Sequence, residues 1–187
     1  MRIEKLRAAY GVQVEWIHFP LHPDTPAEGR TLQDMFAGRG MDIPAMKARM
    51  VGLMAEEGLP YGDRDMTYNS RLAQELGKWA ETQPGGGAIH DAMFKAYFVD
   101  TVNLFNVDAL VSIAESVGLP SDEARQVLKD RSFSDAVDAD WRRAAQDGIT
   151  GVPTFVAGGY GLVGAQPYDV LESLVVKARG EPRAPAV

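Results

Sequence analysis

Apolar positions recur along this chain with two different spacings. Residues 12–19 are rich in β-forming side chains and alternate apolar and polar positions at their start, which predicts a strand. Between residues 44 and 146 the apolar positions fall three and four apart, which predicts a series of helices. Residues 152–157 and 160–163 then flank a two-glycine turn and predict a β-hairpin.

Shorter helices are predicted at both ends of the chain, over residues 3–10 and after Pro167. The two β regions lie far apart in sequence, and an isolated hairpin is only marginally stable. We therefore expect them to share one sheet in an α/β fold. Residues 1–40 and 147–187 would form this discontinuous domain, and residues 41–146 would form a large helical insertion.

Composition excludes several classes of function. The 187 residues carry a formal net charge of −7, which argues against sequence-independent binding of nucleic acid. No apolar run is long enough to span a bilayer, and the first residues lack the apolar core of a signal peptide, so we expect a cytoplasmic protein with no membrane partner.

The chain has no cysteine, which rules out disulfides, thiolate metal sites and thiol catalysis by these residues. With three histidines in all, no metal site is predicted, and no catalytic residue is assigned. The acidic cluster in the last helix before the hairpin is interpreted as a solvated face; it comprises Asp135, Asp138 and Asp140.

Pro153 stands at the start of the apolar run that forms the first hairpin strand. Proline has no N–H to donate to a ladder, so it belongs at the first residue of a strand or at an edge. From the residues alone, a trans proline that begins a strand is the more frequent arrangement, and a cis Val152–Pro153 bond is the alternative.

Seven short stretches, in this order and spacing, resemble one known family. They are Val14-Glu15-Trp16, Phe19-Pro20-Leu21-His22-Pro23, Asn69-Ser70-Arg71-Leu72-Ala73, Phe94-Lys95-Ala96-Tyr97-Phe98, Ile113-Ala114-Glu115-Ser116-Val117-Gly118-Leu119, Gly148-Ile149-Thr150-Gly151-Val152-Pro153-Thr154-Phe155-Val156 and Gly164-Ala165-Gln166. The pattern resembles the DsbA-like branch of the thioredoxin fold, in particular the FrnE-like oxidoreductases and their relatives, the 2-hydroxychromene-2-carboxylate isomerases. This resemblance implies a thioredoxin-like sheet with a helical insertion and a cis proline at Pro153.

The sequence also departs from the family pattern. The first strand of the family, with its Cys-x-x-Cys or serine-containing motif, has no counterpart, because the chain begins partway along the first helix of that pattern. We expect the chain to be a fragment of a longer protein. An in-frame motif of this kind upstream of Met1 would support that hypothesis.

The resemblance also implies a substrate site. The backbone of Val152 would pair with an extended peptide, a small thiol or glutathione, beside Pro153 and Thr154. Asn69 would lie near the substrate pocket, although its residue type and position equally predict a helix cap. Exposed strand edges would favour association of two copies into a homodimer.

Three functions follow from this resemblance. The first is thiol–disulfide exchange, for which this cysteine-free form is expected to be redox-inactive. The second is a glutathione-dependent isomerase acting on an aromatic carboxylate, which would tolerate the absence of cysteine. The third is a non-catalytic module that binds peptides. Apart from glutathione, no cofactor is predicted.

Overall fold

The computed structural model describes residues 2–178, which are mainly helical with two short sheets. The elements follow in this order: α1 (Arg2–Tyr10), β1 (Arg30–Thr31), α2 (Leu32–Met35), α3 (Ile43–Glu56), β2 (Met66–Thr67), α4 (Arg71–Glu81), α5 (Ala88–Phe98), α6 (Val107–Ser116), α7 (Ser121–Asp130), α8 (Ser134–Gln146), β3 (Thr154–Ala157), β4 (Tyr160–Val163) and α9 (Tyr168–Lys177). Both sheets are antiparallel pairs, β1 with β2 and β3 with β4.

The chain divides into two compact units. One comprises residues 2–21 and 140–178 of the described chain, and the other comprises residues 22–139. The boundaries expected from the sequence lay after residues 40 and 146. Residues 22–40 join the helical unit because β1 pairs with β2, and because the Leu32 N–H donates to the Asp65 carbonyl over 2.8 Å.

The core of the 22–139 unit is built mainly by α4 to α7. α4 is strongly amphipathic, and Leu76, in its middle, is fully buried. The apolar residues that join it in the core come from three further helices and the turns between them: Ile89, Met93, Leu104, Leu110, Val111, Ala114, Leu119, Ala124 and Leu128. The helical spacing of these positions had predicted these elements.

The other unit packs the β3–β4 hairpin beside α1 and α9. Leu6 of α1 and Leu171 of α9 are buried together. Phe155 of β3 and Leu162 of β4, which are cross-strand partners, pack against them. The hairpin and both terminal helices therefore form as the sequence predicted.

Residues 12–19 do not form the predicted strand. They form neither a helix nor a strand, and the two sheets of the described residues remain separate, so the prediction of one shared sheet is also wrong. A strand is stabilised by a neighbour that satisfies its backbone groups, and none of the described strands pairs with residues 12–19.

Candidate functional site

The loop that leads into β3 has a fixed local geometry. The Val152–Pro153 peptide bond is cis. The Pro153 carbonyl accepts a hydrogen bond from the Gly164 N–H over 2.7 Å, and the Thr154 Oγ1 donates to the Gly151 carbonyl over 2.7 Å. Two of the three residues predicted at the substrate site on this loop, Pro153 and Thr154, are therefore held by hydrogen bonds on either side of β3's start.

The Pro153–Gly164 bond also fixes which backbone groups of β3 face β4. In an antiparallel pair, successive residues direct their N–H and C=O groups alternately toward the partner strand and away from it. Phe155 and Ala157 follow Pro153 in this alternation and face β4. Thr154 and Val156 therefore direct their backbone groups toward the opposite side of the strand.

That opposite side of β3 is unpaired. Across residues 2–178 no hydrogen bond is made by the backbone groups of Val152, or by those that Thr154 and Val156 direct away from β4. Their side chains leave room for a ligand, since Val152 is 50% exposed and Val156 is 58% exposed. We call the backbone groups of these three residues the open edge.

The open edge offers backbone hydrogen bonds and apolar contacts, but no acid or base. Residues 149–157 include no ionisable side chain. The chemistry available here is recognition of an extended chain by β-augmentation, in which main-chain hydrogen bonds supply affinity. Proton transfer and nucleophilic attack would need groups from elsewhere, including from the ligand.

Asn69 lies in the 22–139 unit, whereas Val152, Pro153 and Thr154 lie in the other. Its Nδ2 donates to the Pro23 carbonyl over 3.0 Å and to the Thr25 carbonyl over 2.8 Å. Its Oδ1 accepts from the Arg71 N–H over 2.9 Å, at the first turn of α4. These bonds satisfy both amide hydrogens, and Asn69 supplies an acceptor at the start of α4, whose N-cap residue is Ser70 and has no side-chain capping bond.

A structural role for Asp140 was not predicted from the sequence, because this residue was interpreted as part of a solvated helix face. Its side chain is only 7% exposed, and its Oδ2 accepts a hydrogen bond from the His18 N–H over 2.9 Å. On the next turn of α8, Arg143 forms an exposed ion pair with Glu15 at 2.9 Å. α8 thus contacts the segment of residues 12–19 through two side chains. Sequence spacing gave no signal for these bonds, since they join residues far apart in the chain.

Replacing Asp140 with alanine should lower the free energy of unfolding by about 1–3 kcal/mol, because the part-buried His18 N–H loses its acceptor. The control is Glu15→Ala, which removes an exposed ion pair on the same segment and should cost about 1 kcal/mol or less. Urea denaturation followed by circular dichroism measures both. Equal costs for the two variants would contradict the structural role of Asp140.

The described residues contain neither a candidate metal site nor a candidate membrane-spanning helix. Across residues 2–178 no three histidine, aspartate or glutamate side chains are grouped so that they could hold a metal ion. Nor does any helix in that range have the length and apolar character needed to cross a bilayer.

Comparison with known proteins agrees with this architecture. An uncharacterized protein of Bacillus subtilis (strain 168), YwbO, is 25% identical over 169 residues, covering 88% of this chain and 81% of YwbO. The crystal structure of a "probable DsbA oxidoreductase" from Streptomyces coelicolor is 33% identical with a TM-score of 0.87, covering 100% of this chain and 85% of that one.

A 2-hydroxychromene-2-carboxylate isomerase shares the fold at 17% identity and a TM-score of 0.70, covering 94% of this chain and 84% of that one. The family described as the DSBA-like thioredoxin domain matches residues 1–176. The resemblance seen in the sequence, and the thioredoxin-like fold class expected from it, are thereby confirmed. This chain belongs to the DSBA-like thioredoxin domain family.

Proposed function

We propose that this chain provides the substrate-binding portion of a FrnE-like, DsbA-family thiol–disulfide oxidoreductase that acts in the cytoplasm. Its role is to hold an extended peptide, or glutathione, against the backbone of Val152. The observation that carries this proposal is that Val152, next to a cis proline, is half-exposed and makes no backbone hydrogen bond within the described residues.

The binding step follows from the geometry of this loop. A ligand in an extended conformation can accept a hydrogen bond from the Val152 N–H and donate one to the Val152 carbonyl. Pro153 and Thr154 fix the position of these two groups through their bonds to Gly164 and Gly151. Because this loop is held in place before binding, little ordering entropy is lost when a ligand docks.

The 187 residues of this sequence cannot exchange disulfides by themselves. Exchange requires a thiolate that attacks a disulfide sulfur, and the sequence contains no cysteine. In this form we expect binding without redox turnover, so the chain would behave as a non-catalytic peptide-binding module unless a thiol is supplied from outside these residues.

A glutathione-dependent isomerase is the second candidate, and the same absence of cysteine favours it. In such a reaction the reactive thiol belongs to glutathione, and the protein needs only to bind and orient it. The fold shared with a 2-hydroxychromene-2-carboxylate isomerase is compatible with this candidate. Under it, glutathione would be the cofactor and the open edge would bind its peptide backbone.

Isothermal titration calorimetry with glutathione, and with an uncharged six-residue peptide, tests the binding step. Val152→Pro removes the donor N–H, and should weaken binding about tenfold, the effect expected for one lost hydrogen bond of about 1.5 kcal/mol. Val152→Ala keeps the backbone and should bind within about threefold of the wild type, because only part of an exposed side chain is lost.

This comparison requires that the β3–β4 hairpin stays folded in both variants. Slow hydrogen exchange of the Phe155 amide shows that it does. Equal weakening by Val152→Ala and Val152→Pro would overturn the backbone role of Val152. Binding of glutathione but not of the peptide would favour the isomerase over the oxidoreductase. Lack of binding by either ligand would reject the proposal.

A further inference from the structure

We propose that α3 binds α3 of a second copy of this chain, so that the two helices form an antiparallel pair. The contact uses one side of α3, which we call the α3 face and which comprises Arg49, Gly52, Leu53 and Glu56. This inference goes beyond the proposed function, because α3 and the open edge lie in different compact units of the chain.

α3 has little to pack on in its own chain. None of its 14 residues is buried, and no other described helix or strand packs along its length. The contacts that hold it include the ion pairs of Lys47 with Asp63 and Asp65. Because isolated helices of this length are marginally stable in water, α3 would gain stability from a helix that covers it.

The α3 face has the spacing and the shape of a helix-packing surface. Its four residues follow one another at intervals of three, one and three positions, which places them on one side of the helix. Leu53 is 45% exposed there. Gly52 is unfavourable in the middle of a helix, yet a Cβ at this position would meet nothing within 4 Å. The chain itself therefore gives no reason for this glycine, whereas the close approach of a second helix does.

The charges of the α3 face identify the occupant. Arg49 and Glu56 are exposed and form no ion pair within residues 2–178. When two copies of α3 pair antiparallel about a twofold axis between residues 52 and 53, Arg49 of each copy lies opposite Glu56 of the other. The same axis places Leu53 of each copy over Gly52 of the other. The face is thus complementary to itself in charge and in shape, which a twofold contact between identical copies requires.

The size of α3 sets the expected strength of this association. Its 14 residues make a helix about 21 Å long. One pair of such helices buries less than about 1,200 Å², which is the range of weak and transient interfaces. We therefore expect a dimer whose dissociation constant lies between about 1 µM and 1 mM.

Sedimentation equilibrium of the 187-residue chain over this concentration range tests the inference. The wild type should show a monomer–dimer equilibrium. Arg49→Glu and Glu56→Arg should each weaken the dimer about tenfold, because each change replaces two ion pairs across the axis with two like-charge contacts. Both changes in one chain exchange the charges and should restore dimers of wild-type strength. An equimolar mixture of the two single variants should also associate more strongly than either variant alone.

The matched control is Lys129→Glu, which makes the same change of net charge as Arg49→Glu at an exposed position of α7. It should associate as the wild type does, and circular dichroism should show the same helix content in every variant. Equal weakening by Lys129→Glu and Arg49→Glu would make net charge the cause and overturn the inference. A wild type that stays monomeric up to about 1 mM also overturns it. So does association that the single variants leave unchanged or that the double variant fails to restore, because Arg49 and Glu56 then do not face each other across a twofold axis.

Discussion

Replacing Glu75 with alanine is expected to lower the free energy of unfolding by about 3–5 kcal/mol. Glu75 is fully buried in α4. Its Oε2 accepts from Arg131 Nε over 2.7 Å, and its Oε1 accepts from Arg131 Nη2 over 2.6 Å and from Arg71 Nε over 2.7 Å. Without this carboxylate, both guanidinium groups lose a shared partner at the surface of the core.

The network extends beyond Glu75. Arg71 also donates to the Ser134 carbonyl over 2.9 Å and pairs with Asp138 at 2.6 Å. Asp138, which was expected on a solvated face, is 45% exposed and also ties α8 to α4 through this ion pair. Arg131 is held at φ 56°, just after α7, where its side chain can reach Glu75.

Urea denaturation of Glu75→Ala and of the control Asp108→Asn checks this prediction. Asp108 forms an exposed pair with Arg125 at 2.7 Å, so its loss should cost about 1 kcal/mol or less. A Glu75→Ala cost no greater than that of Asp108→Asn would contradict the account of the network.

The stability of the wild type should also depend on pH through Glu75. Burial raises the pKa of this carboxyl, but the hydrogen bonds from Arg131 and Arg71 outweigh burial, so the pKa lies below its usual value. A lowered folded pKa means that the contribution is complete above the unfolded value of about 4.3 and is lost as pH falls through the folded pKa. The difference in the free energy of unfolding between the wild type and Glu75→Ala should therefore become smaller as the pH falls through the folded pKa of Glu75.

A second large effect is expected at Gly86, in the loop between α4 and α5. A Cβ at this position would overlap the carbonyl oxygen of Ala80, near the end of α4. Because that oxygen belongs to the backbone, relief requires a shift of the loop or of the helix end. Gly86→Ala should cost about 3 kcal/mol, the upper range for overpacking by a small group.

Gly87→Ala, one residue later, is the matched control. A Cβ on Gly87 meets nothing within 4 Å, and its φ of −59° and ψ of −20° suit any residue. The substitution should raise stability by about 0.4–1 kcal/mol, because alanine restricts the unfolded chain. Thermal unfolding of the two variants should therefore shift in opposite directions. A rise in the unfolding temperature of both variants would show that the overlap at Gly86 is absorbed without cost.

The sequence predicted those elements whose stability comes from local periodicity and their own apolar face. α4 is an example, because Leu72, Leu76 and Trp79 mark one side of a helix and all three are buried. The β3–β4 hairpin is another, since its two-glycine turn joins strands that are neighbours in the chain. In both cases the residues that make the contacts lie within a few positions of one another.

Features that depend on distant partners could not be predicted in this way. Residues 12–19 have the side chains of a strand, and whether they form one is decided by a neighbouring strand that these residues do not encode. Asp140 and Glu75 carry the same charge as solvated residues, and only the fold brings His18 to Asp140 and Arg131 to Glu75. At the candidate site, Val152 and Thr154 were identified through the family resemblance, whereas the inclusion of Val156 in the open edge required the register of β3 with β4.

The central claim is that the backbone of Val152 binds an extended ligand. NMR measurement of the Val152 amide during titration with glutathione or the six-residue peptide tests it most directly, because the N–H has no acceptor within residues 2–178 before the ligand is added. The account predicts that ligand binding shifts the Val152 amide resonance downfield and slows its exchange with solvent. Ligand binding that leaves the Val152 amide unchanged would contradict the account.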